Sequence, residues 1–277
     1  MIDRKSGTLK YTSSLNADEF VQKCSAVDYW YHSYYFDNGI SHPGIFDIGR
    51  DIDNYSFPEN LQGVSVLDVG PAGGWFSIYF AQQGADVVSY DVRGYCDYDI
   101  YGRFQLPGIE TEKERPDFTV DGRPIYISPA GEAFWLIKDL LGYDIDHYNG
   151  RVYDLHPDLF GGRTFDLVFV GAVLMHLRDP VRALQALRRI CSNKIIVSMY
   201  CDPNLNPAEP SMALRNWTNI LWWVPNQLCL EQWFKAAGFA TVDISPGVKL
   251  TADRPFIDSD GTSHGNDQHL WRIEASV

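Results

Sequence analysis

Residues 67–74, with the sequence LDVGPAGG, place one carboxylate beside a cluster of small residues. Small side chains at Gly70, Ala72 and Gly74 allow a nucleotide to approach the backbone closely, as it does in known nucleotide-binding turns. Asp68 stands just ahead of the first glycine, so the predicted nucleotide site carries a negative charge. The identity of the nucleotide therefore depends on which one tolerates or requires that charge.

Three kinds of nucleotide ligand suit a glycine turn, and the sequence distinguishes among them. A P-loop requires Gly-x-x-x-x-Gly-Lys-Ser/Thr, which is absent here. A dinucleotide fingerprint requires a third glycine where Trp75 stands, and Asp68 would repel the pyrophosphate. S-adenosylmethionine has no phosphate, and its ammonium and sulfonium would be attracted to Asp68. Unit charges ~4 Å apart interact by about 4 kcal/mol at an effective dielectric constant near 20, so the charge favours S-adenosylmethionine.

Other residues extend the predicted cofactor site beyond the glycine turn. Asp91 ends the second predicted strand, 23 positions after Asp68. A carboxylate there can accept both ribose hydroxyl hydrogens, which fits NAD and S-adenosylmethionine equally. Asp154 follows the third predicted strand and is placed to meet the adenine amino group. Gly171, in the fourth predicted strand, completes the predicted cofactor-binding set.

Alternating strands and helices must position these residues. A strand, a glycine turn, a helix and a second strand within about 30 residues form a βαβ unit with parallel pairing. We predict an α/β fold with a doubly wound, mostly parallel, Rossmann-like seven-stranded sheet and an antiparallel last strand. The predicted strands lie within 63–69, 86–92, 143–155, 165–174, 194–200, 240–246 and 269–277, and the predicted helices within 17–23, 73–84, 131–142, 179–191 and 228–239.

The predicted organisation has an N-terminal lid or substrate segment at 1–50, with a hairpin at Asn38-Gly39. The domain predicted to bind S-adenosylmethionine follows at 51–277, and the Pro- and Gly-rich stretch 93–130 is predicted to be an inserted loop region. Residues 247–268 are polar and are predicted to form a loop between the last two strands.

Composition limits the partners and the compartment. The net charge of −13 disfavours a nucleic-acid partner without excluding tRNA, because phosphates are bound chiefly by Lys and Arg. No apolar run is long enough for a membrane span, and the N-terminus lacks a signal-peptide core. Five scattered cysteines support neither a disulfide framework nor a zinc site, so we predict no metal and a cytoplasmic location. A homo-oligomer is left open.

The motifs VLDVGPAGGWFS and VVSYDV resemble the first and second motifs of the class I S-adenosylmethionine-dependent methyltransferases. Three further stretches, at 30–44, 165–184 and 222–239, resemble the group related to the tRNA wobble-uridine carboxymethyl and methoxy transferases. That group also includes many small-molecule methyltransferases. The resemblance implies S-adenosylmethionine as cofactor and S-adenosylhomocysteine as product.

One departure from the tRNA enzymes bears on the cofactor. Their segment after the fourth strand reads Leu-Tyr-His, and its tyrosine helps to hold the extra carboxylate of a carboxylated cofactor. Here Met175 takes the tyrosine's place, and methionine cannot hydrogen-bond a carboxylate as tyrosine can. The departure favours plain methyl transfer.

His176 is the predicted catalytic base, because it follows the strand edge where ligands bind in open α/β sheets. The alternative is a structural histidine that fixes the loop before the next helix. His32 and Trp30, in an aromatic N-terminal segment, are predicted to cover the acceptor pocket, with packing as the alternative. Glu132 and Asp202 are weaker candidates for the base.

The resemblance implies that the segment with Trp222, Trp223 and Asn226 borders the acceptor pocket, and the alternative is that the two tryptophans are buried in the core. The predicted function is O-methylation of a small molecule, such as a sugar or natural-product hydroxyl. The alternatives are a tRNA wobble-uridine methyl or carboxymethyl transferase, a non-catalytic cofactor-binding assembly module, and an NAD-type oxidoreductase.

Overall fold

A computed structural model describes residues 7–94, 97, 99, 116–128, 130–215, 221–253, 256–257, 263–264 and 267–277. In chain order its strands are β1 (Tyr34–Tyr35), β2 (Ser41–His42), β3 (Phe46–Asp47), β4 (Ser65–Val69), β5 (Asp86–Asp91), β6 (Phe118–Val120), β7 (Arg123–Ile125), β8 (Asp146–Asn149), β9 (Phe165–Gly171), β10 (Cys191–Met199), β11 (Met212–Leu214), β12 (Trp223–Pro225), β13 (Thr241–Ala252), β14 (Phe256–Ile257), β15 (Ser263–His264) and β16 (Asp267–Ser276). The helices are α1 (Ala17–Cys24), α2 (Trp75–Gln82), α3 (Glu132–Leu141), α4 (Pro180–Ile190) and α5 (Gln227–Ala236), with 3₁₀ turns at Ile48–Tyr55, Val152–Asp154, Pro157–Phe160 and Leu174–His176.

The main sheet has the strand order β3-β13-β16-β10-β9-β4-β5-β8. Strands β8, β5, β4, β9 and β10 pair in parallel, and β16 pairs antiparallel with both β10 and β13. The predicted α/β fold, its mostly parallel sheet and its antiparallel last strand are therefore confirmed. The strand count is eight rather than seven, because the two-residue strand β3 adds to the outer edge of β13.

The chain order of the strands reverses between β4 and β9. From β4 the sheet continues through β5 and β8 on one side, and through β9 and β10 on the other. The connections on the two sides diverge at this point and leave a crevice outside the carboxyl ends of the strands. The strands at the crevice are packed into the core, because Leu67, Val168 and Ile196 are fully buried.

Local sequence signals account for the helices that border the crevice. Helix α4 begins as predicted, with the Asp179 side chain accepting a hydrogen bond from the Arg182 amide at 3.0 Å and Pro180 in the first turn. Helix α2 begins differently. Its N-cap is Gly74, in the left-handed region at φ 80°, and this glycine offers no side chain to the helix.

The N-terminal segment packs on the domain. Strands β1 and β2 form the predicted hairpin, with Gly39 at φ 87° in its turn. Strand β3 then joins the main sheet through pairing of Phe46 with Ala252 and of Asp47 with Thr251. The division of the chain at residue 50 stays a prediction.

Two predicted loops contain regular structure. Within 247–268 the loop prediction is wrong for both ends, since β13 continues to Ala252 and β16 begins at Asp267. The alternation of buried Val248 and Leu250 with more exposed residues explains the extension. Within 93–130, strands β6 and β7 form a hairpin, while residues 100–115 lie outside the described ranges. None of the helices described is long and apolar enough to cross a membrane.

Candidate active site

A cleft opens at the carboxyl ends of β4 and β5, beside the reversal of strand order. Val69 and Gly70 form its base, and Tyr90, Asp91 and Val92 form one wall. The remaining lining residues lie mainly in the loop after β8 and in the loop after β9; they include Gly150, Arg151, Val152, Tyr153, Val173 and Leu177. The cleft therefore lies where the sequence predicts the cofactor.

The glycine turn has the close packing that its small residues suggest. Gly70 lies in the left-handed region at φ 74°, and a Cβ added there would come within 2.5 Å of Val173 Cγ2. Ala72 also has a positive φ, 47°. At Gly74 an added Cβ would lie 2.1 Å from Phe134 Cδ2. Gly70 thus keeps the cleft open, whereas Gly74 allows α2 to pack against α3.

Asp91 ends β5 with its carboxylate on the cleft wall. One oxygen accepts a hydrogen bond from Ser128 Oγ at 2.6 Å, and the other accepts from the Val92 amide at 2.8 Å. Burial raises the pKa of Asp91 to about 6. A carboxylate has about four acceptor positions, so two remain for a ligand's hydroxyl groups.

Asp68 lies beneath the glycine turn and is 1% exposed. Its carboxylate accepts a hydrogen bond from Ser77 Oγ at 2.6 Å. Burial, with a smaller contribution from the nearby charge of Asp91, raises the pKa of Asp68 to about 7. The described cleft lining does not include Asp68, so its influence on a ligand there is that of a nearby buried charge.

The other two predicted cofactor residues, Asp154 and Gly171, are next to cleft-lining segments but are not part of the described cleft lining. Asp154 ends the 3₁₀ turn after β8 and is exposed, although its neighbours Val152 and Tyr153 line the cleft. Gly171 ends β9, where an added Cβ would lie 3.0 Å from the Phe169 ring. The predicted contacts of Asp154 and Gly171 with a cofactor stay predictions.

His176 ends a 3₁₀ turn that connects the cleft to the neighbouring surface. The turn follows Val173, whose carbonyl accepts the His176 amide at 2.9 Å. Met175, in the same turn, is buried, and its carbonyl accepts the Trp222 amide at 2.8 Å. His176 is half-buried, and its turn contacts both the cleft-lining Val173 and, through Met175, the segment predicted to bind the acceptor. The described cleft lining does not include His176, so its role as the base stays a prediction.

The weaker base candidates have less suitable surroundings. Glu132 is exposed in the first turn of α3. Asp202 forms an ion pair with Arg215 at 2.9 Å and accepts the Asn204 amide, and these contacts lower the pKa of Asp202. A lower pKa makes Asp202 a weaker proton acceptor than a free carboxylate.

The N-terminal candidates are buried next to the glycine turn. Trp30 is 3% exposed, donates its indole N–H to the Val27 carbonyl and packs on His42. His32 is 4% exposed, and its Nδ1 accepts the Trp75 amide at 3.3 Å. These contacts explain both positions by packing, and substrate binding by either residue stays a prediction.

The segment before α5 contributes one surface residue and one structural residue. Trp222 is half-buried, and its indole N–H donates to the Asp99 carbonyl at 2.5 Å. Asn226 is buried as the N-cap of α5. Its amide oxygen accepts from the amides of Cys229 and Ser211, and its amide nitrogen donates to two backbone carbonyls. With its hydrogen-bonding capacity used in this way, Asn226 serves the loop, and its role in acceptor binding stays a prediction.

Sequence reasoning missed a polar cluster at the cleft edge. Asp99 accepts hydrogen bonds from Arg151 Nη2 at 2.9 Å, from the Arg178 amide at 2.8 Å and from the Tyr153 hydroxyl. Arg151 and Tyr153 line the cleft, so Asp99 fixes part of its wall. No local pattern marks Asp99, because the partners of its carboxylate lie 52 to 79 positions away in sequence.

The cleft can be tested for its fit to S-adenosylmethionine. It offers a glycine base without a lysine in the turn, and a carboxylate with acceptor positions to spare on its wall. These features suit an uncharged ribose and a ligand without phosphate. The residues present therefore fit the adenosyl portion of that cofactor.

Comparison with known proteins agrees with this geometry. A protein-family model described as a methyltransferase domain matches residues 47–244. The tRNA U34 carboxymethyltransferase of Trichodesmium erythraeum is 27% identical over 145 residues, which are 45% of this chain and 40% of that protein. The ubiquinone biosynthesis O-methyltransferase of Cereibacter sphaeroides is 27% identical over 180 residues, which are 65% of this chain and 56% of that protein. The chain thus spans only about half the length of these curated relatives.

Solved structures show the same fold. The N-terminal domain of EvdMO1, crystallised with S-adenosylhomocysteine bound, has a TM-score of 0.55 at 12% sequence identity, over 95% of this chain and 96% of that domain. The family match covers well over half of the chain, and the strand order is that of a Rossmann-like fold. The predicted resemblance and its cofactor, S-adenosylmethionine, are confirmed at the level of the family. The chain belongs to the methyltransferase domain family, among the class I S-adenosylmethionine-dependent methyltransferases.

Proposed function

We propose that this protein methylates a hydroxyl oxygen of a small molecule, such as a sugar or a natural product. When bound, S-adenosylmethionine supplies an electrophilic methyl group. The observation that carries the proposal is the cleft with Gly70 at its base and the Asp91 carboxylate on its wall. Asp91 would hold the ribose hydroxyls, and the buried charge of Asp68 would favour a cationic ligand above it.

The chain's own residues would orient the acceptor and take up its proton. His176 would accept the proton of the attacking hydroxyl, because the turn that it ends contacts the cleft-lining Val173 and, through Met175, Trp222. Holding the reacting groups in line supplies several kcal/mol of rate acceleration, and a positioned base typically adds ~10²–10⁴-fold. The product of this reaction is S-adenosylhomocysteine.

Two properties of the chain favour a small acceptor over tRNA. Its net charge of −13 opposes binding of a phosphate backbone. Met175 stands where the tRNA carboxymethyl enzymes have a tyrosine, and it is 2% exposed, so it offers no hydroxyl to a carboxylated cofactor. The N-terminal domain of EvdMO1 has also been crystallised in the presence of S-adenosylhomocysteine and D-fucose, so deoxyhexoses form the first panel of acceptors to test.

A tRNA acceptor is the second candidate, because the relatives include a tRNA U34 carboxymethyltransferase at 27% identity. A third candidate is a binding module that holds the cofactor for assembly without catalysis. A cytoplasmic location and a homo-oligomer also stay predictions.

Methyl-labelled S-adenosylmethionine separates these candidates. The full chain is incubated with a panel of deoxyhexoses, their glycosides and phenolic natural products, and separately with total tRNA. The proposal predicts label in a small-molecule product and an equal amount of S-adenosylhomocysteine. Label confined to tRNA, or cofactor binding without turnover on either panel, contradicts the proposal.

A further inference from the structure

The first turn of α2 lacks a side-chain cap from its own sequence. A helix leaves its first backbone amides without partners inside the helix, and an N-cap side chain commonly satisfies one of them. Here the N-cap is Gly74, which provides no side-chain hydrogen bond. A larger residue is excluded at this position, since an added Cβ would lie 2.1 Å from Phe134. Close packing of α2 on α3 therefore removes the usual source of a cap.

His32 provides that hydrogen bond from a distant part of the chain. Its Nδ1 accepts the amide of Trp75, the first residue of α2, at 3.3 Å across 43 positions of sequence. The imidazole lies directly against the glycine turn, because a Cβ added to Gly73 would be 3.2 Å from Nδ1. The ring also packs edge-on against Phe76, in the same first turn.

The N-terminal segment holds His32 in place by backbone pairing. The Ser33 amide donates to the Phe46 carbonyl at 2.8 Å, and the Phe46 amide donates to the Tyr31 carbonyl at 2.9 Å. On the glycine turn itself, the Tyr34 hydroxyl donates to the Gly73 carbonyl at 2.5 Å. Two side chains of the N-terminal segment thus bond to the turn and to the helix that follows it.

These contacts also assign the protonation state of the ring. An imidazole nitrogen that accepts an amide hydrogen carries a lone pair, so in the neutral ring the proton is on Nε2. Burial lowers the pKa of His32 to about 3, and its ring is therefore neutral at ordinary pH. A neutral ring of this tautomer can accept the amide hydrogen, whereas a protonated ring cannot.

We propose that His32 is a positioning residue that caps α2 through Nδ1 and so fixes the glycine turn in the shape that binds the adenosyl cofactor. This inference rests on the proposed function for its ligand. It replaces the expectation that His32 covers the acceptor, and it makes the N-terminal segment part of the cofactor site. The role requires an acceptor atom at the Nδ1 position and does not require proton transfer.

Calorimetric titration with S-adenosylhomocysteine tests the inference in three variants of the full chain. His32→Phe keeps an aromatic ring but removes the acceptor, and we expect affinity to fall about 10-fold or more. His32→Asn restores an oxygen acceptor near the position of Nδ1, and we expect recovery to within about 3-fold of wild type. His156→Phe is the matched control, because His156 Nδ1 accepts the Asp158 amide at the same distance, 3.3 Å, in an exposed 3₁₀ turn off the cleft.

Equal affinity of His32→Phe and wild type overturns the inference, as does an equal loss in His32→Phe and His32→Asn. Nitrogen NMR of histidine-labelled wild type keeps the test independent of variant folding. With the signals assigned by their absence from the His32→Asn spectrum, Nδ1 should be unprotonated and Nε2 protonated from pH 5 to pH 8. The opposite tautomer also overturns the inference. Failure of wild type to bind S-adenosylhomocysteine instead counts against the proposed function and leaves the NMR test standing.

Discussion

Replacement of Asp91 by Asn should weaken binding of S-adenosylhomocysteine by ~30- to 150-fold. In the structure two acceptor positions of the carboxylate are used by Ser128 and Val92. About two of its four positions remain for the two ribose hydroxyls. Hydrogen bonds to a charged group contribute ~1.5–3 kcal/mol each. Asparagine keeps one neutral oxygen acceptor and loses the charge, so we expect a net loss of about 2–3 kcal/mol.

Titration calorimetry at pH 8 measures this loss directly, and the same change at Asp158 provides a matched control. Asp158 is exposed in the 3₁₀ turn Pro157–Phe160 and does not line the cleft, so Asp158→Asn should alter affinity by less than about twofold. Wild-type affinity should also fall as the pH drops through about 6, where Asp91 takes up a proton. The Asp91→Asn variant should lose that part of the pH dependence.

Two results would refute this reasoning. One is an affinity of Asp91→Asn within about threefold of wild type at pH 8, which would mean that the carboxylate does not hold the ligand. The other is an equal loss in Asp91→Asn and Asp158→Asn, which would mean that the loss is not specific to the described cleft wall.

Three further predictions concern Asp68 and His176. Asp68→Asn should raise the free energy of unfolding of the ligand-free protein at pH 8 by about 2–4 kcal/mol, because burial raises the folded-state pKa from 3.8 to about 7. Because wild-type Asp68 holds its proton in the folded state at low pH, the difference in free energy of unfolding between variant and wild type should grow from about pH 4 to pH 7 and stay constant above. Urea unfolding measures this difference, and an equal value at pH 4 and pH 8 would contradict the prediction. Binding of S-adenosylmethionine at pH 6.5 should release more protons than binding of S-adenosylhomocysteine, because the sulfonium favours ionised Asp68. Calorimetry in two buffers measures the proton release, and equal release for the two ligands would contradict the prediction. His176→Ala should lower kcat for the acceptor found in the labelling screen by ~10²–10⁴-fold with less than about twofold change in affinity for S-adenosylhomocysteine, and an unchanged kcat would assign the base to another group.

Features encoded within a few neighbouring residues were predictable from sequence. The Asp179-Pro180 start of α4 is one example, since the cap and the first turn are adjacent in the chain. The Gly70 turn is another, because a buried strand followed by small residues predicts its shape. The parallel pairing of β4 with β5 also followed from sequence, because a strand, a helix and a second strand within about 30 residues form a βαβ unit.

Features that depend on distant pairing were not predictable in this way. Strand β3 has two residues, and it is a strand only because β13 offers an edge to it. The extension of β13 across Gly247 depends on its pairing with β16. The register of this pair shifts by one residue between Pro246 and Val248 of β13. That stretch is polar overall, so its short alternation of buried and exposed residues identifies a strand only when the partner strand is known.

The candidate site shows the same division. The positions of Asp68 and Asp91 at strand ends were predictable, but the burial of Asp68 was not, because it depends on packing in the folded chain, including the hydrogen bond from Ser77. Asn226 has the residue type of a ligand-binding amide, yet its bonds are satisfied within the loop. Residue type and spacing predict which groups are near the cleft, while the contacts decide which of them are available to a ligand.

Native mass spectrometry of the full chain, before and after addition of S-adenosylmethionine, S-adenosylhomocysteine or NAD, tests the central claim most directly. The cleft with its glycine base and Asp91 wall predicts a one-to-one complex with either adenosyl compound in wild type, and a much weaker complex in Asp91→Asn. Binding of NAD in preference to both, or adenosyl complexes of equal strength in wild type and variant, would contradict it.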